Sequence, residues 1–224
     1  MLGACADTAG ENPDNYVVRP EDTLYSIAWR HDLDFRDLAR WNNIGTDFRI
    51  SVGQVLVLGP GRESSATPAP GTAGPRAQNT PPVSRPRALA PQGDAPAIPS
   101  AANGPLRWVW PTDRVGAPRP VPGGGILLSG RLGQDVRAAS AGRVVYTGSG
   151  LRGYGNLIII KHAESLLSAY AHNREMLVHD GQEVAMGQVI AHMGEGAHLS
   201  PILYFEIRQN GRPIDPLPFL SRAK

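Results

Sequence analysis

The chain has little of three things, and each scarcity narrows what it can be. It carries one cysteine, Cys5, so no disulfide can form within it. Its charge is nearly balanced, with 22 Lys and Arg against 20 Asp and Glu, a formal net of +2. A nucleic-acid-binding surface carries a larger basic excess, so nucleic acid is not an expected partner. No apolar run approaches the roughly 18 residues that cross a bilayer as a helix. Glycine and proline are instead abundant, at 26 and 21 of 224 residues. That composition favours short strands and frequent turns, and a hydrophobic content of 41% still leaves enough for a packed core.

Composition divides the chain into three regions. Residues 60–105 hold eleven of the 21 prolines, with many Ala, Ser, Gly and Thr and almost no large apolar side chains. Such a stretch cannot bury enough surface to offset its ordering entropy. It reads as a disordered Pro/Ala-rich linker that would reach on the order of 100 Å if fully extended. It separates a compact mixed region, residues 16–59, from a strand-rich one, residues 106–224.

In the first region Tyr16-Val17-Val18 can form a short strand. Asp22 is placed to cap a helix in which Leu24, Ile27 and Ala28 follow at helical spacing. Asp34 can cap a second helix with Phe35, Leu38 and Ala39 on one face, ended by Asn42-Asn43. Val55-Leu56-Val57-Leu58 closes a β-α-α-β unit, an α+β module of under 50 residues. The opening Tyr16–Ala28, the middle Trp41-Asn42-Asn43-Ile44 and the end Val52–Leu56 resemble a LysM domain. LysM modules bind N-acetylglucosamine chains between two loops. The resemblance implies a peptidoglycan-binding groove at Asp22, Thr23, Leu24, Asn43 and Ile44. The blander alternative is that Asp22 only caps and Leu24 only fills the core.

From residue 137 onward short strands alternate with glycine turns. The candidates are Arg143–Thr147, Leu157–Lys161, Leu166–Ala171, Val189–His192 and Leu203–Arg208. The unbroken run Leu157-Ile158-Ile159-Ile160 suits a strand buried on both faces, and the whole reads as a mainly antiparallel all-β domain. Arg152–His162, Ala169-Tyr170-Ala171-His172, Gly181-Gln182-Glu183-Val184 and Leu203–Arg208 resemble a LytM, or lysostaphin-type, metallopeptidase domain. Active members hold zinc with a His-x-Gly-x-Asp segment and the second histidine of a His-x-His segment. Here the first segment reads Gly123-Gly124-Gly125-Ile126-Leu127 and the second Ile202-Leu203-Tyr204. All three ligands are replaced, and His172 alone remains of two assisting histidines. Catalytic zinc needs about three protein donors. Glycine and leucine offer none, and tyrosine is a poor ligand at neutral pH. The expectation is therefore a degenerate peptidase with no catalytic residue, no metal site and no cofactor.

The other polar residues do not rebuild a site in sequence. His162, His179, His192 and His198 lack paired spacing, and His31 reads as a surface residue late in the first helix. Asp135, Glu183 and Glu206 form no evident acid–base pair, and Ser165 and Ser168 have no nucleophile-elbow context.

Near the start, Leu2-Gly3-Ala4-Cys5 resembles a bacterial lipobox, which makes residues 1–15 a lipoprotein-like tether acylated at Cys5. Such a signal normally carries a lead-in of about 15 residues, and only Met1 precedes Leu2. Ala6, in place of an aspartate, leans toward the outer membrane. The full layout resembles the NlpD and EnvC family of amidase activators, Gram-negative cell-division factors. The resemblance implies a periplasmic lipoprotein of the outer membrane that binds glycan strands and activates a periplasmic zinc amidase during septum splitting. The partner groove it implies is Leu127, Tyr154, Leu157, His172, Tyr204 and Arg208. Tyr204 and Arg208 stand four apart on one strand and so share a face. Two alternatives stay open: an active zinc endopeptidase with a non-standard site, and a purely structural peptidoglycan-binding lipoprotein.

Overall fold

The computed structural model describes residues 15–60, 106–113, 115–163, 165–196 and 200–220. Cys5, His198 and the linker expected over 60–105, apart from Pro60, lie outside the described residues. The described parts of the two flanking lobes fall within one compact unit.

The N-terminal lobe is the expected β-α-α-β unit. Strands β1 (Asn15–Val17) and β2 (Val55–Val57) pair antiparallel with Tyr16 opposite Leu56, and helices α1 (Leu24–Arg30) and α2 (Phe35–Trp41) lie between them in sequence. The cap of α1 corrects the sequence reading. Because the helix begins at Leu24, the cap falls to Thr23 rather than Asp22. Thr23 Oγ1 accepts from Ser26 N at 3.1 Å, and Ser26 Oγ accepts from Thr23 N at 3.0 Å, a reciprocal capping box. The Asp22 carboxylate instead accepts from the Tyr16 hydroxyl at 2.7 Å, the Arg19 amide at 2.8 Å and Arg30 at 3.2 Å. Asp34 caps α2 as expected, accepting from Arg36 N at 2.8 Å. Asn42 then ties the end of α2 to β2. Its amide donates to the carbonyls of Leu38 at 2.8 Å and Val57 at 2.9 Å, and its oxygen accepts from Val57 N at 2.7 Å.

The C-terminal lobe contains β3 (Arg119–Pro120), β4 (Ile126–Ser129), β5 (Asp135–Arg137), β6 (Gly142–Gly148), β7 (Asn156–Lys161), β8 (Leu166–Met176), β9 (Glu183–Val184), β10 (Val189–Met193), β11 (Ile202–Gln209), β12 (Arg212–Ile214) and a short helix α3 (Leu217–Leu220). The sheet runs β3-β4-β11-β8-β7-β6-β9; β10 joins β5 and β8, and β12 joins β11. All five expected strands are present, with β8 running past Ala171 to Met176.

The apolar run in β7 explains how the lobes meet. Ile158 and Ile160 face the core of the sheet domain with Val144, Tyr170, Leu203 and Phe205. Leu157 and Ile159 point the other way, with Leu167, Ala169 and Ala171 of β8, and pack in one cluster with Leu24, Ile27, Trp29 and Phe35 of the N-terminal lobe. A strand covered on both faces has no reason to alternate, and this one does not.

The sheet core also buries a histidine. His162 is 7% exposed, with Nδ1 2.8 Å from the Ala141 carbonyl and Nε2 2.7 Å from Ser168 Oγ. A carbonyl only accepts, so Nδ1 carries the proton and Nε2 accepts from Ser168. The Ser168 and Tyr170 hydroxyls lie 2.9 Å apart, and Tyr170 accepts from Ala139 N at 2.8 Å. Burial pushes the His162 pKa down to about 4. The unfolded chain therefore takes up a proton near pH 6.5 that the folded chain refuses until about pH 4. His162 should cost the fold nothing above pH 6.5 and progressively more as pH falls to 4, about 3 kcal/mol over the window. Urea unfolding of wild type and His162→Gln at pH 7 and pH 4.5 should show the steeper acid loss in wild type; equal losses would contradict the assignment.

Candidate docking cleft

The cleft is built where β4 runs beside β11. Register sets Leu127 directly opposite Tyr204 and Ile126 opposite Phe205. The Tyr204 ring fits there because Gly125 has no side chain: a Cβ at that position would lie 2.8 Å from the Tyr204 hydroxyl. Tyr154, from the loop between β6 and β7, meets Tyr204 edge-on with centroids 5.6 Å apart. His172 joins them through backbone, its N–H donating to the Tyr154 carbonyl at 2.9 Å. Its ring lies near Gly155 and Gly196, and burial lowers its pKa, so it is a neutral imidazole at neutral pH. Leu127 and Tyr154 thus flank Tyr204, and His172 joins them through its bond to Tyr154.

Along β11, Tyr204, Glu206 and Arg208 form a single polar line on one face. The Tyr204 hydroxyl donates to Glu206 Oε2 in a very short hydrogen bond, and Arg208 Nε donates to Glu206 Oε1 at 2.6 Å. Glu206 is 1% exposed and Arg208 4%. Burial, reinforced by the Glu206 charge, raises the Tyr204 pKa far above the usual phenol value. Sequence reasoning treated Glu206 as one isolated carboxylate. The period-2 spacing of Tyr204, Glu206 and Arg208 was the signal that it shares their face.

The other two expected groove residues, Leu157 and Arg208, are buried under the N-terminal lobe. Arg208 Nη1 donates to the Trp29 carbonyl at 2.9 Å and lies 2.9 Å from Asp32 Oδ1. Its guanidinium stacks over the Trp29 ring at 3.9 Å. A cavity of about 590 Å³ opens beside this contact, with Tyr16, Arg30, Tyr146, Arg152 and Tyr154 among its walls. Trp29 and Asp32 were not anticipated as site residues. The signal for Trp29 lay in α1, whose Leu24, Tyr25, Ile27, Ala28 and Trp29 are apolar beyond one face, as in a helix covered on several sides.

The glycan-groove residues are held less freely than their sequence suggests. Asp22 is engaged by Tyr16, Arg19 and Arg30, Thr23 caps α1 and Leu24 is fully buried. Asn43 turns the chain with φ 53°, and Ile44 is partly buried against the same apolar cluster. His31 departs from the surface position expected for it. It caps the C-terminus of α1, stacks edge-on with Tyr16 at 5.5 Å and is partly buried, which lowers its pKa.

Gly123, Leu127 and Tyr204 are the residues that the resemblance to active lysostaphin-type enzymes sets at the zinc positions. These residues do not fit the ion. Two have no donor atom for a metal, and the Tyr204 hydroxyl keeps its proton and donates a hydrogen bond to the Glu206 carboxylate. Among the described residues, no three of His, Cys, Asp and Glu converge as a metal site. The chemistry here is that of apolar and aromatic side chains beside a buried Glu206–Arg208 pair.

Comparison with known proteins agrees with the two lobes. Residues 122–216 match Peptidase family M23, and residues 16–59 match the LysM domain. A Pseudomonas aeruginosa protein named lipoprotein NlpD/LppB homolog is 42% identical over 92% of this chain and 77% of its own. The uncharacterized lipoprotein YgeR of Escherichia coli is 39% identical, over 98% of this chain and 88% of its own. The murein hydrolase activator NlpD of Salmonella typhimurium is 37% identical over 92% of this chain and 68% of its own.

Breaking a buried pair strands a charge, which costs more than the pair contributes. Arg208→Met should lower unfolding stability by roughly 3 kcal/mol, and adding Glu206→Gln should recover part of the loss. Urea midpoints of the two variants check this, and an unchanged midpoint for Arg208→Met would contradict it.

Proposed function

Because the chain belongs to the LysM–M23 family that includes these NlpD lipoproteins, we propose that it is a non-catalytic activator of a peptidoglycan hydrolase. The LysM lobe holds it on glycan strands, and the degenerate M23 cleft docks the hydrolase. The observation that carries this reading is the pairing of Leu127 with Tyr204, where donor side chains would be needed to hold zinc. A cleft that has exchanged metal donors for a leucine and a hydrogen-bonded tyrosine retains its shape and gains apolar surface. Aromatic and aliphatic side chains in a concavity are what anchors a protein partner. The name murein hydrolase activator, carried by the Salmonella relative, supports the same role.

The finer reading is that the partner is a periplasmic zinc amidase acting at the division septum, and that Leu127, Tyr154, His172 and Tyr204 form the open part of the groove. Asp22, Thr23, Asn43 and Ile44 remain the proposed glycan contacts. Leu24 contributes by shaping the loop, since its side chain is core. Acylation at Cys5 would place the chain at the outer membrane, in keeping with the lipoprotein names of the Pseudomonas and Escherichia relatives.

Dye release from labelled peptidoglycan tests the role. The chain alone should release nothing, and the chain with a periplasmic zinc amidase should release more than the amidase alone. Leu127→Arg, which sets a charge on the cleft floor, should abolish the stimulation while leaving the circular dichroism spectrum unchanged. Chelator-sensitive release by the chain alone would replace the reading with a peptidase. Sedimentation with peptidoglycan but no stimulation would leave a structural wall-binding protein.

A further inference from the structure

We infer that the cavity of about 590 Å³ beside Arg208 is a binding site for a small organic monoanion, a carboxylate carried on an apolar body such as the C-terminal end of a short peptide. The inference does not rest on the activator reading. It gives the chain a ligand besides the glycan and the hydrolase.

A volume of this order holds a small molecule, and the half-buried Tyr154 and Leu58 give its wall an apolar part. The charged part of the wall is four arginines, Arg19, Arg30, Arg152 and Arg208, against Glu21, Asp22 and Asp32. Two of these arginines are already paired. Arg30 lies 3.2 Å from Asp22, and Arg208 lies 2.9 Å from Asp32. Arg152 is different: it is exposed, and no described residue bonds to its side chain. Burial and the Arg30 charge lower the His31 pKa, so the imidazole is neutral and the wall as a whole carries one net positive charge. That balance suits a monoanion. A planar guanidinium takes a planar carboxylate through two parallel hydrogen bonds.

Two buried nitrogens point to an occupant that brings acceptors. Trp29 is 3% exposed and its indole Nε1 can only donate, yet it finds no partner among the described residues. His31 Nε2 finds none either. Both residues line the cavity. Buried polar atoms without a partner are rare in folded proteins, and a group entering the cavity can supply one. The backbone of the wall adds a second sign. The turn Arg19-Pro20-Glu21-Asp22 closes with Asp22 N donating to the Arg19 carbonyl at 3.2 Å. Its third residue, Glu21, has φ 68°, a conformation in which such turns usually carry glycine or asparagine. The Asp22 carboxylate pins the turn through Tyr16, the Arg19 amide and Arg30. Strain held in place in this way is a feature of ligand sites.

Arg152 offers the test, because it is exposed and its replacement leaves the internal hydrogen bonds in place. Isothermal calorimetry of the full chain would use three probes up to millimolar concentration: acetyl-alanyl-alanine, its C-terminal amide, and inorganic phosphate. The dipeptide acid should bind at one site per chain. In NMR spectra it should shift the indole N–H resonance of Trp29 and leave that of Trp108, in the sheet core, unmoved. The amide should bind wild type at least about tenfold more weakly, and so should the acid bind Arg152→Gln, since each change removes a charged hydrogen bond. Arg131→Gln, at an exposed arginine on the turn after β4, is the control and should bind the acid like wild type. No saturable binding of the acid, or binding that Arg152→Gln leaves unchanged, would overturn the site. Equal binding of the amide or of phosphate would overturn the carboxylate assignment. Displacement of the acid by an N-acetylglucosamine tetramer would make the cavity part of the glycan groove and overturn the second ligand.

Discussion

The Arg208 guanidinium is the point on which the two lobes depend. Its Nε is committed to Glu206 in the sheet, its Nη1 to the Trp29 carbonyl and to Asp32, and its plane to the Trp29 indole. A cation this deeply buried is tolerated because its Nε, its Nη1 and one face meet carboxylates, a carbonyl and an aromatic ring. The carboxylate partners differ in kind. Glu206 is almost fully buried and Asp32 is largely exposed, so the link to Glu206 fixes the arginine in the sheet and the link to Asp32 is a weaker, screened contact. Arg208 is therefore preset by its own strand and offered to whatever covers that face.

Tyr204 completes the same line at the other end. The Tyr204 phenol, the Glu206 carboxylate and the Arg208 guanidinium bond to one another in sequence along the strand. Leu127, Tyr154 and His172 remain half-buried, while the face around Leu157 is taken by the LysM core. One sheet face thus carries two neighbouring surfaces, one open and one covered.

Much of this architecture was legible in the sequence. Helical spacing in Leu24–Ala28 and Phe35–Ala39, the Asp34 cap and the Asn42-Asn43 stop fixed the first lobe, and the apolar stretches of β6, β7, β8, β10 and β11 the second. The unbroken apolarity of Leu157–Ile160 correctly announced a second covered face, but periodicity cannot say what covers it. The covering residues, Trp29, Leu33 and Phe35, lie more than a hundred positions away from β7. The misplacement of the α1 cap has a local cause: Asp22 and Thr23 are both good cap residues, and the reciprocal bond with Ser26 favours Thr23 while Asp22 is drawn to Tyr16 and Arg30. His31 looked like a surface residue because only the fold brings Tyr16 against it.

The claim at the centre is that the peptidase cleft no longer binds metal and has become a surface for protein. Zinc titration of the full chain by isothermal calorimetry, with the bound metal counted after gel filtration, tests it directly. The account predicts no stoichiometric zinc on the purified chain at micromolar concentration. One zinc per chain, held through gel filtration and removed by a chelator, would contradict it.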